Sequence, residues 1–291
     1  MNKQKAPTVR RERLRLFSKV FFARKLVVFA FSIVCLMIIL AVFATVLTPY
    51  GYNEQNMRAR LETPSWQHPF GTDKLGRDTL SRVLYGTRIS LTVAFVSTAI
   101  AGSIGIFLGL LAGYMGKFAD SLIMRMMDAM MTIPMIILAI FLAAVLGGGL
   151  FNICLCIGVA LIPSYARLTR GQVLQLKESD FVTAGIISGQ TKIKNALTHI
   201  LPNCLPANIV LMTMNLGAAI MVEAGLSYLG VGITPPTPSW GYLVNYGREW
   251  LSTKPYMCIL PGMFIIATTW AFNVCGDALR DALDPKLRGR L

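Results

Sequence analysis

The sequence predicts an all-α integral membrane protein with six transmembrane helices. Three observations carry this prediction: 54% of the 291 residues are hydrophobic, only 14% are charged, and long uncharged apolar runs recur along the chain. A soluble globular domain carries about 25% charged residues. The shortage of charge therefore indicates that lipid surrounds most of the chain.

The first span covers residues 26–47 and follows a basic head rich in Lys and Arg. A secretory signal has a shorter apolar core and a small-residue cleavage site, whereas this run is long enough to stay in the bilayer. The second span covers residues 91–113. Its small residues recur every four positions, which predicts a seam for close helix packing: Ala101, Gly105, Gly109 and Gly113.

The uncharged stretch 129–166 is too long for one helix, so the glycines at 147–149 divide it into a hairpin of the third and fourth spans. Pro134 and Pro163 each predict a kink, because proline removes a backbone hydrogen bond. Arg125 and Asp128, three residues apart, are predicted to pair on one helix face. The fifth and sixth spans cover residues 200–222 and 256–276.

Charge sets the predicted orientation. Six spans put both termini on one side of the membrane, and 20 of the 28 Lys and Arg residues then fall on that side. Cytoplasmic loops carry the excess of Lys and Arg, so both termini are predicted to be cytoplasmic. The predicted segments are a basic N-terminal segment (1–25), the first transmembrane helix (26–48), an extracytoplasmic segment (49–87), a five-helix core (88–278) containing a cytoplasmic loop (167–199), and a cytoplasmic tail (279–291).

The cytoplasmic loop reads as two short helices. Ser179 or Asp180 is predicted to cap the first, Gly189 suits a left-handed helix terminus, and Thr191 is predicted to cap the second. The small residues Ala184 and Gly185 leave one side of the first helix bare, so that a partner's backbone can approach closely. The pattern of small, apolar and charged residues in this loop is consistent with two interpretations: a docking surface, or an ordinary amphipathic helix at the membrane interface.

Several chemistries are excluded by the residues that are missing. Gly116-Lys117 is no phosphate loop, because positions 111 and 118 are Leu and Phe, where the pattern requires Gly and Ser or Thr. Only two histidines are present, and no metal site or catalytic set can be built around them. The cations are scattered between apolar runs and form no basic domain for nucleic acid. We therefore predict a protein that is not an enzyme, without resident metal or cofactor.

One motif in the loop resembles that of a known family. Thr183-Ala184-Gly185, then Gly189, then His199-Ile200-Leu201-Pro202 is similar to the "EAA---G---------I-LP" loop of the permeases of ABC importers. Thr183 replaces the leading Glu, and Gly185 replaces the third small residue, Ala. The His-Ile-Leu-Pro-Asn ending resembles the oligopeptide, dipeptide and nickel branch, as do the blocks at 68–91, 221–232, 238–244 and 276–289.

The resemblance covers roughly residues 26–291 and implies a type I ABC importer permease fold in the bacterial inner membrane. It implies uptake of short peptides, or of nickel or metal chelates, with ATP and Mg on separate ATPase subunits. The implied partners are two ATPase subunits, a second related permease and an extracytoplasmic substrate-binding protein. The implied ATPase-coupling residues are Asp180, Phe181, Val182, Thr183, Ala184, Gly185, Gly189, His199, Leu201 and Pro202. The alternatives from other classes are an ion-driven secondary transporter and a membrane scaffold that transports nothing.

Three further residues are candidates for contact at the membrane or beyond it. Glu223 ends a long uncharged run, so it is expected to line the translocation path or to brace the two permeases; the alternative is a marker of the outer interface. Trp240 and Tyr242 follow a proline-rich loop. They are expected either to anchor at the headgroups or to touch the binding protein at the outer rim.

The orientation can be tested by cysteine labelling in a Cys-free background. We expect Arg58→Cys and Lys74→Cys to react with an impermeant thiol reagent in intact cells, because both positions are predicted to lie outside. Lys192→Cys and Lys194→Cys should react only after the membrane is opened. Labelling at 192 without labelling at 74 would reverse the topology.

Overall fold

The protein, described by a computed structural model over residues 16–283, is mostly helical in that range, and its longest non-helical segment covers residues 48–78 apart from one short turn. Within those residues the β pairing is limited to one bridge between Thr72 and Asp78. A short 3₁₀ turn spans Met57–Ala59, and a π-helical turn spans Ala196–Ile200. The α-helices are α1 (Lys25–Val42), α2 (Ala44–Leu47), α3 (Thr79–Tyr114), α4 (Lys117–Met131), α5 (Met135–Leu146), α6 (Leu150–Leu176), α7 (Asp180–Ile187), α8 (Lys192–Asn195), α9 (Leu201–Tyr228), α10 (Trp240–Arg248) and α11 (Tyr256–Leu283).

The structure contains five helices that could cross a membrane, and a bent pair of helices that could form a sixth crossing. Five are long and apolar enough to span a bilayer: α1, α3, α6, α11 and the continuous helix from Lys192 to Tyr228. The pair α4 and α5 is apolar and long enough only when the two are taken together, and it is bent by 92° at the break over residues 132–134, so it is either a sixth, broken crossing or a re-entrant segment. Pro163, by contrast, lies inside the unbroken α6. The glycines at 147–149 separate α5 from α6, as the sequence predicted.

Two helices extend well beyond the apolar runs that predicted them. The second crossing begins at Thr79 because the Asp78 side chain caps α3, with its Oδ2 accepting from the Ser81 N–H at 2.7 Å. The helix predicted after Thr191 is not a separate short helix. Thr191 does cap it, accepting from the Lys194 N–H at 3.3 Å, but the helix then passes through the π turn directly into α9.

The seam of small residues lies where α3 packs against α6. A Cβ placed on Gly105 would lie 2.5 Å from Tyr165 Cβ, and one on Gly109 would lie 2.5 Å from the Ala166 carbonyl oxygen. Ala101 is also fully buried. These distances leave no room for any side chain larger than hydrogen at the two glycines. In lipid, such close backbone approach supplies the packing that holds helices together.

Both ends of the described chain lie at one end of the bundle, which we call the α7 end. Arg24, just before α1, pairs with Asp281 in α11 at 3.4 Å. Helix α11 runs antiparallel to α9, with Gly276 against Met214 and Gly217 against Thr269, so its C-terminus points toward the start of α9 and toward α7. The cytoplasmic assignment of this end stays a prediction.

Salt bridges tie α4 to α6, and one sequence-based pairing is wrong. Asp128 does not pair with Arg125 on its own helix; its Oδ1 accepts from Arg167 Nη2 in α6 at 2.6 Å. Arg170 donates in the same way to Asp120, with Nη2 2.7 Å from Oδ2. Because α4 crosses next to α6, a neighbouring helix offers each carboxylate a better placed guanidinium than its own helix does.

The α3–α6 contact predicts a sharp effect at Gly109. Gly109→Ala should lower the melting temperature of the detergent-solubilised protein and its abundance in membranes, because the new methyl group meets the backbone of α6. Overpacking of this kind costs about 1–3 kcal/mol.

The matched control is Gly171→Ala on α6, where an added Cβ meets nothing within 4 Å. That variant should be neutral or slightly stabilising, since Ala favours helix over Gly by about 1 kcal/mol. Equal melting of the two variants would contradict the packing account.

Candidate functional site

Helix α7 is a short, well-terminated helix between two membrane-crossing helices. It begins after Ser179, whose hydroxyl donates to the Leu176 carbonyl at 2.5 Å and so does not cap α7. At the other end the Gly189 N–H donates to Ile186 O at 2.9 Å and the Gln190 N–H to Gly185 O at 3.1 Å. With φ of +80° at Gly189, this is a Schellman terminus, as the sequence predicted.

The inner face of α7 packs on a small apolar cluster, which we call the second core. Val182 and Gly185 are the buried residues of α7. The second core joins α7 to the ends of three long helices, and its buried members are Leu110 of α3, Val173 of α6, Val182 of α7, Ala196 and Ile200 of the π turn, and Cys204 of α9. A displacement of α7 therefore acts on α3, α6 and α9 together.

Gly185 does not lie on a bare outer surface, which corrects the sequence-based interpretation. A Cβ on Gly185 would lie 3.2 Å from both Nδ2 and Oδ1 of Asn195. Any added Cβ would force a small shift of the Asn195 carboxamide, which packs against Gly185 inside the chain. A large substitution at Gly185 would thus disturb the chain's own packing before it met any partner.

The outer face of α7 is formed by exposed residues at helical spacing, and it includes Ala184. Ile187 is 82% exposed. Exposure of an apolar side chain to water is unfavourable, so burial of Ile187 by a partner would be favourable. A partner groove would cover such a face with little loss of side-chain freedom. The exposed residues of this face, at i, i+3, i+4 and i+7, are Asp180, Thr183, Ala184 and Ile187.

The remaining residues of the motif lie beside α7 and at the start of α9. The rings of Phe181 and His199 are 6.4 Å apart, and the His199 carbonyl accepts from Asn203 Nδ2 at 2.7 Å. Leu201 packs against the second core. Pro202 is exposed and directly follows the π turn within the continuous helix from Lys192 to Tyr228, where its missing N–H removes one hydrogen bond to the preceding turn.

Glu223 lies inside the chain and faces neither a path nor a second subunit. It is 0% exposed. Its Oε1 accepts from Ser227 Oγ at 2.7 Å and its Oε2 from Ser90 Oγ at 3.1 Å. The assignment of Glu223 to the translocation path or a permease interface is therefore wrong for this chain. The carboxyl group links α9 to α3.

Trp240 is likewise a core residue and not an outer-rim contact. It is 0% exposed; its indole N–H donates to the Val83 carbonyl at 3.2 Å, and its backbone N–H donates to Ser90 Oγ at 3.2 Å. Gly86 provides the space for the indole, with a built Cβ only 3.3 Å from Trp240 Cδ1. Tyr242 is partly accessible, with its ring 5.7 Å from the Arg82 guanidinium.

Two family models match this chain. The model described as "Binding-protein-dependent transport system inner membrane component" matches residues 105–289, and the "N-terminal TM domain of oligopeptide transport permease C" matches residues 13–64. The chain belongs to this family of inner-membrane transport components. The predicted family and the predicted multi-pass location in the inner membrane are confirmed. Membership of this family is not consistent with the two alternatives, a secondary transporter and a membrane scaffold.

Curated relatives match the permease over most of its length. It is 40% identical to the "Dipeptide transport system permease protein DppC" of Alkalihalophilus pseudofirmus, over 91% of this chain and 87% of that protein. It is 42% identical to the "Probable D,D-dipeptide transport system permease protein DdpC" of Escherichia coli K12, over 89% and 87%. It is 40% identical to the "Glutathione transport system permease protein GsiD" of Pectobacterium atrosepticum, over 94% and 91%.

A solved structure has the same fold. A chain of the MetNI methionine ABC transporter, in an inward-facing conformation, superposes with a TM-score of 0.57 at 18% identity, covering 70% of this chain and 96% of that one. At this identity the likeness concerns the fold alone. It confirms the predicted type I importer permease fold.

Sequence reasoning missed a buried ion cluster at the end of the permease opposite α7. Asp73 Oδ2 accepts from Arg77 Nε at 2.7 Å and from Arg82 Nη1 at 2.5 Å, while its Oδ1 accepts from the Leu75 N–H at 2.8 Å. Burial raises the pKa of the nearby Tyr246 to about 12, so that phenol stays neutral. The only sequence signal was an Asp and two Arg within ten residues of a segment outside the apolar runs.

The ion cluster fixes the extramembrane segment to the bundle. Burial acts to lower the pKa of Arg77, but the ion pair with Asp73 outweighs it, and the pKa stands above its usual value. On the same segment, His68 Nδ1 lies 2.9 Å from Asp78 Oδ1. The segment preceding α3 is thus a folded part of the permease.

Proposed function

We propose that this chain is the transmembrane permease subunit of an ATP-driven importer of short peptides, and that α7 is the element through which a separate ATPase drives it. The observation that carries the proposal is the two-sided environment of α7. Its outer face is exposed and free for a partner, and its inner face is packed on the second core.

The mechanism follows from that arrangement. Closure of two ATPase subunits around ATP moves α7 with the groove that holds it. The second core passes the movement to the ends of α3, α6 and α9, because packed apolar groups resist separation. The bundle then changes the side to which its cavity opens, a rigid-body form of alternating access.

The partners of this proposal are two ATPase subunits at the α7 end, a second permease beside the bundle and a substrate-binding protein at the opposite end. ATP and Mg are held by the ATPase subunits, so this chain hydrolyses nothing itself. The α7 end is cytoplasmic, as the excess of Lys and Arg on that side favours.

The proposed substrate class is short peptides. The relatives named above are described as permeases for dipeptides, D,D-dipeptides and glutathione, all of which are short and carry peptide bonds together with charged ends. Nickel and metal chelates are the second candidate substrate class, because the descriptions of these three relatives mention no metal.

The docking role predicts a defect that depends on charge at Ala184. Ala184→Glu should weaken copurification of the ATPase and abolish peptide uptake, while the amount of permease in the membrane stays normal. An unpaired carboxylate in a dry contact costs at least a few kcal/mol, and Ala184 is exposed in the chain itself, so folding should be unaffected.

The matched control is Ala184→Ser, which keeps the residue small and uncharged and should bind and transport normally. Gly185→Glu is unsuitable as a test, because Gly185 packs against Asn195. Full assembly and full uptake by Ala184→Glu would reduce α7 to an interfacial helix without a docking role.

The substrate class can be tested by competition. In cells with and without this gene, uptake of a labelled dipeptide should require the gene and should be inhibited by excess unlabelled di- and tripeptides, because they compete for the same route. Nickel should compete poorly. Gene-dependent nickel uptake alongside unchanged peptide uptake would reverse the order of the two substrate classes.

A further inference from the structure

Asn195 is a buried polar residue between α7 and the helix that runs from Lys192 to Tyr228, and its position suggests a mechanical role. We infer that Asn195 is a positioning residue that makes α7 and this long helix move as one body. The inference rests on the proposed function of α7. It adds a residue at a position that the family motif leaves unspecified to the path by which ATP hydrolysis reaches the membrane-crossing helices.

The first observation is the hydrogen bond. Asn195 is 0% exposed, and its Nδ2 donates to the Val182 carbonyl of α7 at 2.9 Å. In the described part of the chain, this is the one side-chain hydrogen bond that joins α7 to the 192–228 helix. A buried amide that loses its partner incurs the full cost of desolvation, so the bond resists opening as α7 moves.

The second observation is the steric fit. The Asn195 carboxamide packs on Gly185, one turn along α7 from Val182, and no Cβ fits between them without displacement. Asn195 therefore contacts α7 at two successive positions on its inner face. Two contacts fix both the distance and the rotation of α7, whereas a single hydrogen bond would act as a pivot.

The third observation is the π turn that follows immediately. Residues Ala196–Ile200 form a wider turn than an α-helix, a feature often found at functional sites. Ala196 and Ile200 both enter the second core. Further along α9, Asn208 Oδ1 accepts from Thr169 Oγ1 of α6 at 3.1 Å. A continuous set of contacts thus runs from α7 through Asn195 to α9 and α6.

The experiment compares transport with ATP hydrolysis in the same vesicles. The full importer, with its ATPases and binding protein, is reconstituted with wild-type permease, with Asn195→Leu, or with Asn195→Ala. Leu preserves most of the volume and removes the hydrogen bond. We expect peptide transported per ATP hydrolysed to fall by about fivefold or more, the lower range of measured couplings between sites, while the ATPases remain bound.

The control is Thr213→Val on the same helix, outside the motif, where the native hydroxyl bonds only to its own helix at Ile209 O. Its transport per ATP should equal that of wild type. Transport and hydrolysis that fall in proportion in the Asn195 variants would indicate a merely structural residue and overturn the inference. A wild-type permease that binds no ATPase would overturn the proposed function, and this inference with it.

A double-mutant cycle tests the contact itself. Gly185→Ala should lower transport per ATP on its own, because its methyl group would lie 3.2 Å from both polar atoms of the Asn195 carboxamide and so shift that group away from its bond to Val182. Added to Asn195→Ala, which leaves space, it should lower the ratio no further, since residues in contact are not additive. If the double variant lowered transport per ATP by the product of the two single effects, the two residues would act independently, which would contradict a shared contact.

Discussion

The close backbone contact between α3 and α6 is the constraint on which the rest of the structure depends. Water drives no association between apolar helices inside lipid, so close packing must hold them, and Gly105 and Gly109 make it possible. The C-terminal ends of the two helices consequently lie side by side and supply the apolar surface on which α7 packs. The opposite end of α3 supplies Arg82 and Ser90, the partners of Asp73 and Glu223. One helix pair thus determines the geometry at both ends of the bundle.

Different interactions hold the segment around Asp73 at one end of the bundle and α7 at the other. At the end opposite α7, buried charged and hydroxyl groups make directional bonds, and breaking any of them leaves an unsatisfied group in a dry site. At the α7 end, the second core consists of medium and small apolar side chains, with Asn195 as its polar contact to α7. Apolar contacts tolerate small shifts in direction better than ion pairs do. The ion pairs near the α7 end, Arg167–Asp128 and Arg170–Asp120, join α4 to α6, so α7 itself is held by apolar contacts and one amide and has fewer directional bonds than the segment around Asp73.

The sequence was sufficient for the features that depend on local pattern. Uncharged length predicted the crossings, four-residue spacing predicted the glycine seam, and a small residue after a short amphipathic run predicted the left-handed terminus at Gly189. It failed where a side chain's partner lies far along the chain. Glu223 binds Ser90, 133 residues away, and the Trp240 indole binds a carbonyl 157 residues away. A carboxylate or an indole near the end of an apolar run looks exposed until the fold places hydroxyls and carbonyls around it.

The short α5 has a consequence for the surrounding lipid. Its 12 residues rise about 18 Å, whereas the hydrocarbon layer of a bilayer is about 30 Å thick. At the bend, nearby groups bond the last carbonyls of α4 in place of a further helical turn: Ala129 O accepts from Thr132 Oγ1 at 2.7 Å and Met130 O from the Ile133 N–H at 3.4 Å. If the α4–α5 pair crosses the membrane, a bent pair of this kind has a larger hydrophobic mismatch with a thick bilayer than the straight helices beside it do.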